Sequence, residues 1–285
     1  MSTTSALPPK KCLGRSANAA FFVGLSRAFG GALVFSLPLL MTMEMWSLGG
    51  AAERENLALL LVLTLPLLVG LSHYAGFEET FCMRDDVVDA FVALAVGFVA
   101  SAGILWVLGV IGPATAVDEI IGKVAIQAVP GSIGALLATS QFGTAEEEEE
   151  EKHRFTRYDG ELFLMAVGAI FFAFNLAPTD EMVIIAQQMT EYQTLGLLVL
   201  SLAVMHAFVY AVQFSGTPST PEGTPRWSLF LRFTIPGYAI ALLVSLYILW
   251  TFGRLDGVSW ETRLATTVVL AFPGAIGAAA ARLVI

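Results

Sequence analysis

Apolar stretches of about twenty residues recur eight times along the chain, each bounded by charged or turn-forming residues: roughly 21–45, 56–76, 87–111, 120–140, 161–178, 193–214, 229–252 and 261–283. A helix needs about 20 apolar residues to cross about 30 Å of hydrocarbon, so each stretch is a predicted transmembrane helix. Strands of a membrane barrel would alternate apolar and polar residues over about 10 positions, and these stretches do not alternate. The pattern therefore predicts an all-α fold, a polytopic transmembrane helical bundle of eight spans.

Composition narrows the class further. Of the 285 residues, 56% are hydrophobic and only 14% charged, against about 25% charged in soluble domains. Mean hydropathy is +0.73. These values exclude a soluble enzyme, a nucleic-acid binder and a disordered chain, and they make the lipid bilayer the first partner. Lys10, Lys11 and Arg15 precede an apolar stretch too long for a signal-peptide core and without a small-residue cleavage site, so it reads as an uncleaved first span. Cys12 and Cys82 fall beside basic residues in segments predicted to be cytoplasmic, where thiols stay reduced and no disulfide is expected.

Eight spans place both termini on one side of the membrane, and lysine and arginine choose the side. With the N-terminus inside, eleven basic residues are cytoplasmic and four, Arg54, Lys123, Arg254 and Arg263, lie outside. The prediction is N-in and C-in. Ten acids on the outer side leave that face at −6, a field that concentrates cations. The longest polar interruption, Gln141 to Gly160, holds six consecutive glutamates, Glu146 to Glu151. It lacks the glycine turns of a calcium loop and reads as a solvated linker. The organisation is thus a cytoplasmic segment 1–20, four spans over 21–140, the linker 141–160, and four spans over 161–285.

The two halves match each other in order. At an offset of 137, Gly31, Ala32, Phe35, Leu39, Thr42, Glu44 and Met45 fall on Gly168, Ala169, Phe172, Leu176, Thr179, Glu181 and Met182, and the run Leu60 to Leu63 falls on Leu197 to Leu200. The word Ile-Leu-Trp-x-x-Gly at Ile104 recurs at Ile248, and Pro130-Gly131-Ser132-Ile133-Gly134-Ala135 recurs as Pro273-Gly274-Ala275-Ile276-Gly277-Ala278. The expectation is two parallel four-helix repeats, an arrangement in which transporters place their pathway at the repeat interface.

Candidate chemistry concentrates where the first and fifth spans end. Thr42 and Thr179 each precede a glutamate by two residues, Glu44 and Glu181, and Asp180 and Asn175 stand nearby. Proline at 38 and 178 withholds a backbone donor, so carbonyls around Phe174 and Asn175 are expected to be freed. Carboxylates, hydroxyls, an amide and carbonyls form an all-oxygen set of the kind hard cations prefer, and a carboxylate within apolar sequence marks an ion or proton path by default. The plainer alternative makes these acids the water boundary of the two spans. Pro130, Gly131, Gly134, Pro273, Gly274 and Gly277 read as close helix packing or as hinges. His73, His206, Asp89 and Gln127 are secondary candidates, the histidines more simply as interhelical hydrogen-bond partners. Ser132 lacks an activating histidine and its repeat counterpart is alanine, which excludes a serine hydrolase. No cofactor motif is present in the sequence, and no enzyme activity is expected.

The words Arg27-Ala28-Phe29-Gly30-Gly31-Ala32, Leu37-Pro38-Leu39-Leu40-Met41-Thr42-Met43-Glu44-Met45-Trp46 and His73-Tyr74-Ala75-Gly76-Phe77-Glu78 resemble a family of bacterial integral membrane proteins carried under a domain-of-unknown-function label. The resemblance spans nearly the whole chain and implies a bacterial inner-membrane location without implying an activity. Taken together, the expectation is a membrane transport protein for a small cation or proton, as a channel or a proton-coupled carrier, monomeric or homo-oligomeric. The competing expectation is a non-transporting scaffold or subunit of a membrane complex.

Overall fold

The computed structural model describes residues 16–75, 83–141, 158–211 and 230–284. Cys12, Cys82, the glutamate run and the loop 215–226 lie outside the described residues. The described chain forms α1 (Ser16–Leu40), α2 (Met43–Ala51), α3 (Arg54–Ala75), α4 (Met83–Val107), α5 (Val117–Gln141), α6 (Tyr158–Leu176), α7 (Glu181–Gln188), α8 (Glu191–Ala211), α9 (Ile235–Thr251) and α10 (Trp260–Val284). No strand occurs among the described residues. Eight of these helices are long and apolar enough to cross a membrane. The multi-span helical class expected from the apolar pattern is the observed one.

The two short helices α2 and α7 were not expected from the pattern. The first apolar stretch, predicted to run to residue 45, ends as α1 at Leu40, and α2 starts again at Met43. Between them Thr42 is extended, with φ −95 and ψ 116, and its hydroxyl donates to Pro38 O at 2.6 Å. The fifth stretch ends at Leu176, and α7 begins after Pro178, Thr179 and Asp180. Pro178 has no N–H for Phe174 O, and the Thr179 N–H goes to Leu176 O at 3.1 Å instead of continuing the ladder to Asn175. Pro178 thus ends the fifth stretch directly, whereas Pro38 lies inside α1 near its end, and the two breaks fall at the same relative place, at Thr42 and Thr179.

The matched sequence words sit at matched joints. Gly109 and Gly253 have φ +73 and +67, the left-handed conformation that ends a helix at little cost only for glycine. Around them Gly109 N donates to Trp106 O and Val110 N to Leu105 O, while Gly253 N donates to Trp250 O and Arg254 N to Leu249 O. Both are Schellman closures of the preceding helix. The Ile-Leu-Trp-x-x-Gly word is therefore a helix stop, used at the ends of α4 and α9.

The Pro-Gly-x-Ile-Gly-Ala words place a glycine at a helix crossing. A Cβ added to Gly31 on α1 would collide with Gly134 O and the Ala138 side chain on α5, and one added to Gly168 on α6 would collide with Gly277 O and the Ala281 side chain on α10. Helices approach this closely only where side chains are absent, which is the small-residue packing expected in lipid. A third joint follows the same register. The α2 backbone at Gly49 rests on Gly122 and Lys123 of α5, and in the second half Ala186 of α7 packs with Ala265 of α10. Gly131 approaches Gly97 of α4, whereas Gly274 approaches Ala241 and Ser245 of α9.

The largest apolar cluster draws on both halves, joining Leu39, Leu68 and Leu136 with Phe174, Ile248 and Phe252. Phe35 and Phe171 meet edge to face at 5.0 Å across the halves, and the Phe163 ring lies against Gly70. Large apolar side chains such as Val34, Val62, Val99, Val199 and Leu243 point outward, the arrangement of a bundle whose solvent is hydrocarbon. Pro236 near the start of α9 cannot donate to Arg232 O, and Tyr158 Oη supplies a donor to that carbonyl at 2.9 Å.

Candidate functional site

The acids and amides of the sequence reading fall at the end of the bundle where α1 and α6 break. Glu44 occupies the first turn of α2 and is half-buried, while Asp180 and Glu181, at the start of α7, are exposed. The last carbonyls of α1 receive side-chain donors from within the protein, Leu39 O in addition to the Thr42 N–H. Gln127 Nε2, on α5, donates to Leu39 O at 3.0 Å, and Trp46 Nε1 donates to Leu40 O at 2.7 Å. Gln127 is fully buried, and its Oε1 has no partner. A buried unsatisfied amide oxygen costs roughly 1–3 kcal/mol, so this position is held at a price in stability and aims an acceptor into the packed end of α1.

The second break is served differently. The guanidinium of Arg254, just past the end of α9, donates to Pro178 O and to the Asp180 carboxylate. Asn175 Nδ2 donates to Phe171 O at 2.7 Å within α6, and Thr179 Oγ1, in the turn that follows, donates to Leu176 O at 2.9 Å. A positive group therefore already sits among the oxygens of the second break. Among the described residues no such group bonds the first break, and Lys123 on α5 is paired with Glu119 of its own helix. Among the described residues no three His, Cys, Asp or Glu side chains come together as a metal-binding set.

At the opposite end of the first half lies a second polar group. Asp86, on the first turn of α4, is 3% exposed, and its Oδ2 lies 3.2 Å from Nδ1 of His73 on α3. One turn along α4, Asp89 accepts a hydrogen bond from Ser72 Oγ at 3.3 Å. Sequence reasoning singled out His73 and Asp89 and did not single out Asp86. The available signal was spacing, because Asp86 and Asp89 are three apart and share one helix face. The residues at the corresponding offsets in the second half are Phe230 and Phe233. There His206 Nδ1 lies 3.0 Å from Thr234 Oγ1, and its ring meets Phe230 edge to face.

Between these two ends the buried face of α4 carries Asp86, Ala90, Ala93, Gly97 and Ser101. Ser101 Oγ is buried without a partner and lies beside Gly131 of α5. At Gly97 the helices touch, and a Cβ there would lie 2.5 Å from Ala128 O and 2.9 Å from Ser132 N. Pro130 is at the centre of this contact. Pro273 on α10 holds the corresponding place in sequence, and there the residue equivalent to Gly97 is Ala241, which lies by Gly274.

Residues 24–285 match the family described as "Putative integral membrane protein (DUF2391)". No curated protein and no solved structure matches the chain. With its eight apolar spans and a match that covers nearly the whole chain, the protein belongs to this family of integral membrane proteins.

Proposed function

We propose that the chain is one four-helix unit carried twice and that it passes a proton or small cation through the first copy. The observation that carries the reading is Asp86, a carboxylate almost wholly enclosed among membrane-spanning helices with an imidazole beside it. Charge in a membrane interior is costly, and where it occurs it faces a bundle interior and marks an ion or proton route. The equivalent place in the second copy is phenylalanine, so the shared scaffold does not require an acid there. Glu44 and Gln127 Oε1 line the route at one end, Asp86 and Asp89 at the other, with Ser101 between.

The second copy supports the same division of labour. Arg254 fills the oxygens of the second break with a tethered cation, which leaves the first break as the one open to a diffusible cation. Passage requires α5 to part from α4 at Gly97, and Pro130 is the bend at which α5 lacks a backbone hydrogen bond to resist that motion. The N-in, C-in orientation would put Glu44 on the outer, acidic face, where cations gather. A proteoliposome flux screen of protons, sodium, potassium, calcium and manganese tests the reading, with Glu44→Gln run alongside wild type. Flux lowered by about tenfold in the variant, a barrier change near 1.4 kcal/mol, is the expected result. No flux of any of these ions from folded, inserted protein would turn the reading to a scaffold or complex subunit.

A further inference from the structure

We infer that the cleft between the ends of α9 and α10 binds one phospholipid molecule with a primary ammonium headgroup, of the phosphatidylethanolamine type. The cleft holds about 590 Å³ and is walled by Leu243, Leu246, Tyr247, Trp250, Trp260 and Leu264, with Asp256, Arg263 and Thr267 also lining it. That size falls within the roughly 300–1,000 Å³ of ordinary ligand pockets. Leu243, Leu246 and Leu264 are exposed along the side of two membrane-spanning helices. In a bilayer that side is filled by acyl chains. Leu243 lies seven residues before Trp250 on α9, about 10 Å deeper at 1.5 Å per residue, so the cleft runs from the helix ends into the hydrocarbon.

The polar end selects the headgroup. Arg263 Nε is shielded from solvent and has no hydrogen-bond partner, and neither Arg263 nor Asp256 forms an ion pair among the described residues. One cation and one anion thus line the same cleft without neutralising each other. A zwitterion satisfies both: its phosphate accepts from the Arg263 guanidinium, and its ammonium donates to Asp256. Tyr247 and Trp250, with ring centroids 6.1 Å apart, add a face that attracts a cation. Trp250 and Trp260 at the cleft mouth are the aromatic residues that membrane proteins place at headgroup level. An anionic lipid without an amine would meet Asp256 as a like charge, and a quaternary amine has no N–H to give it.

The inference does not depend on the transport reading. Its test is quenching of tryptophan fluorescence in full-length protein reconstituted with bromine-labelled acyl chains on phosphatidylethanolamine, phosphatidylcholine or phosphatidylglycerol. The signal from the cleft is the part lost in a Trp250→Phe, Trp260→Phe variant. The expected result is half-maximal quenching by the ethanolamine lipid at about one fifth the mole fraction of the other two, a difference near 1 kcal/mol. Arg263→Gln should abolish that preference, and Asp256→Asn should shift it towards the glycerol lipid. Equal quenching by all three lipids in the wild type, which needs no polar variant to fold, would overturn the inference. So would an ethanolamine preference that survives Arg263→Gln.

Discussion

The two helix breaks, after α1 and after α6, share their threonines and glutamates in register, with their prolines offset (Pro38 opposite Asn175, Pro178 opposite Met41), and differ in what closes them. At the first break a neutral amide, Gln127, reaches Leu39 O, and an indole, Trp46, reaches Leu40 O. At the second, an arginine from the α9–α10 connection binds Pro178 O and Asp180. Gln127 corresponds to Leu270 and Arg254 to Val110. Each break thus obtains its donors from a position that is apolar in the other half. Scaffold positions hold glycines, prolines and apolar residues in register, while the polar positions diverge. The divergence places a tethered cation, Arg254, at the second break and a neutral amide, Gln127, at the first.

The joints that both halves share should be the most sensitive. Gly134→Leu and Gly277→Leu each force a side chain into the backbone of the partner helix, and each should lower stability by more than about 3 kcal/mol, beyond ordinary overpacking. Size-exclusion profiles and thermal unfolding in detergent will read this, and damage confined to one half would break the equivalence of the joints. Next, Arg254→Ala strips the Asp180 carboxylate and the Pro178 carbonyl of a partner that is itself only 19% exposed, at a cost of about 2–3 kcal/mol. Gln127→Leu, which installs the residue of the other half, should cost about 1 kcal/mol or less because it also removes an unpaired acceptor. The reverse order in the same unfolding assay would mean that the breaks are not closed as described.

Smaller effects sharpen the picture. Gly49→Ala brings a Cβ to 2.6 Å from Lys123 Cα and should cost about 1–2 kcal/mol as α2 backs away from α5. Ala186→Gly at the corresponding place should cost about 1 kcal/mol, chiefly through backbone entropy. Last, Arg54 and Asp118 pair at 3.0 Å with 82% and 60% of their side chains exposed, and Arg54→Ala should change the melting free energy by less than about 0.5 kcal/mol. A larger loss would show that the α3–α5 end is less solvated than its exposure indicates.

The spans were legible because hydrophobic length is a one-dimensional property. The word Ile-Leu-Trp-x-x-Gly was legible as a repeat, whereas its role as a helix stop at Gly109 and Gly253 came only from the backbone geometry. The breaks were signalled by Pro38 and Pro178. The resumption of helix at Met43 and Glu181 was not, because α2 and α7 are too short to show a span and are held by tertiary contacts at Gly49 and Ala186. Closure of the breaks was hidden for a different reason. Gln127 is 88 residues from Leu39 and Arg254 is 76 from Pro178, and no local pattern announces a donor that arrives from another helix. Asp86 did not stand out because it sits in a run of acids, while its burial depends on the packing of α3 against α4.

The central claim is that the first half carries the ion route and the second half, built on the same joints, does not. Proteoliposome flux of wild type, Asp86→Asn and Glu181→Gln, measured for whichever cation the wild type passes, tests it most directly. Asp86→Asn preserves shape and removes only charge. The account predicts that it lowers flux by about tenfold or more, while Glu181→Gln stays within about twofold of wild type. Equal loss in both variants, or full flux in Asp86→Asn, would contradict it.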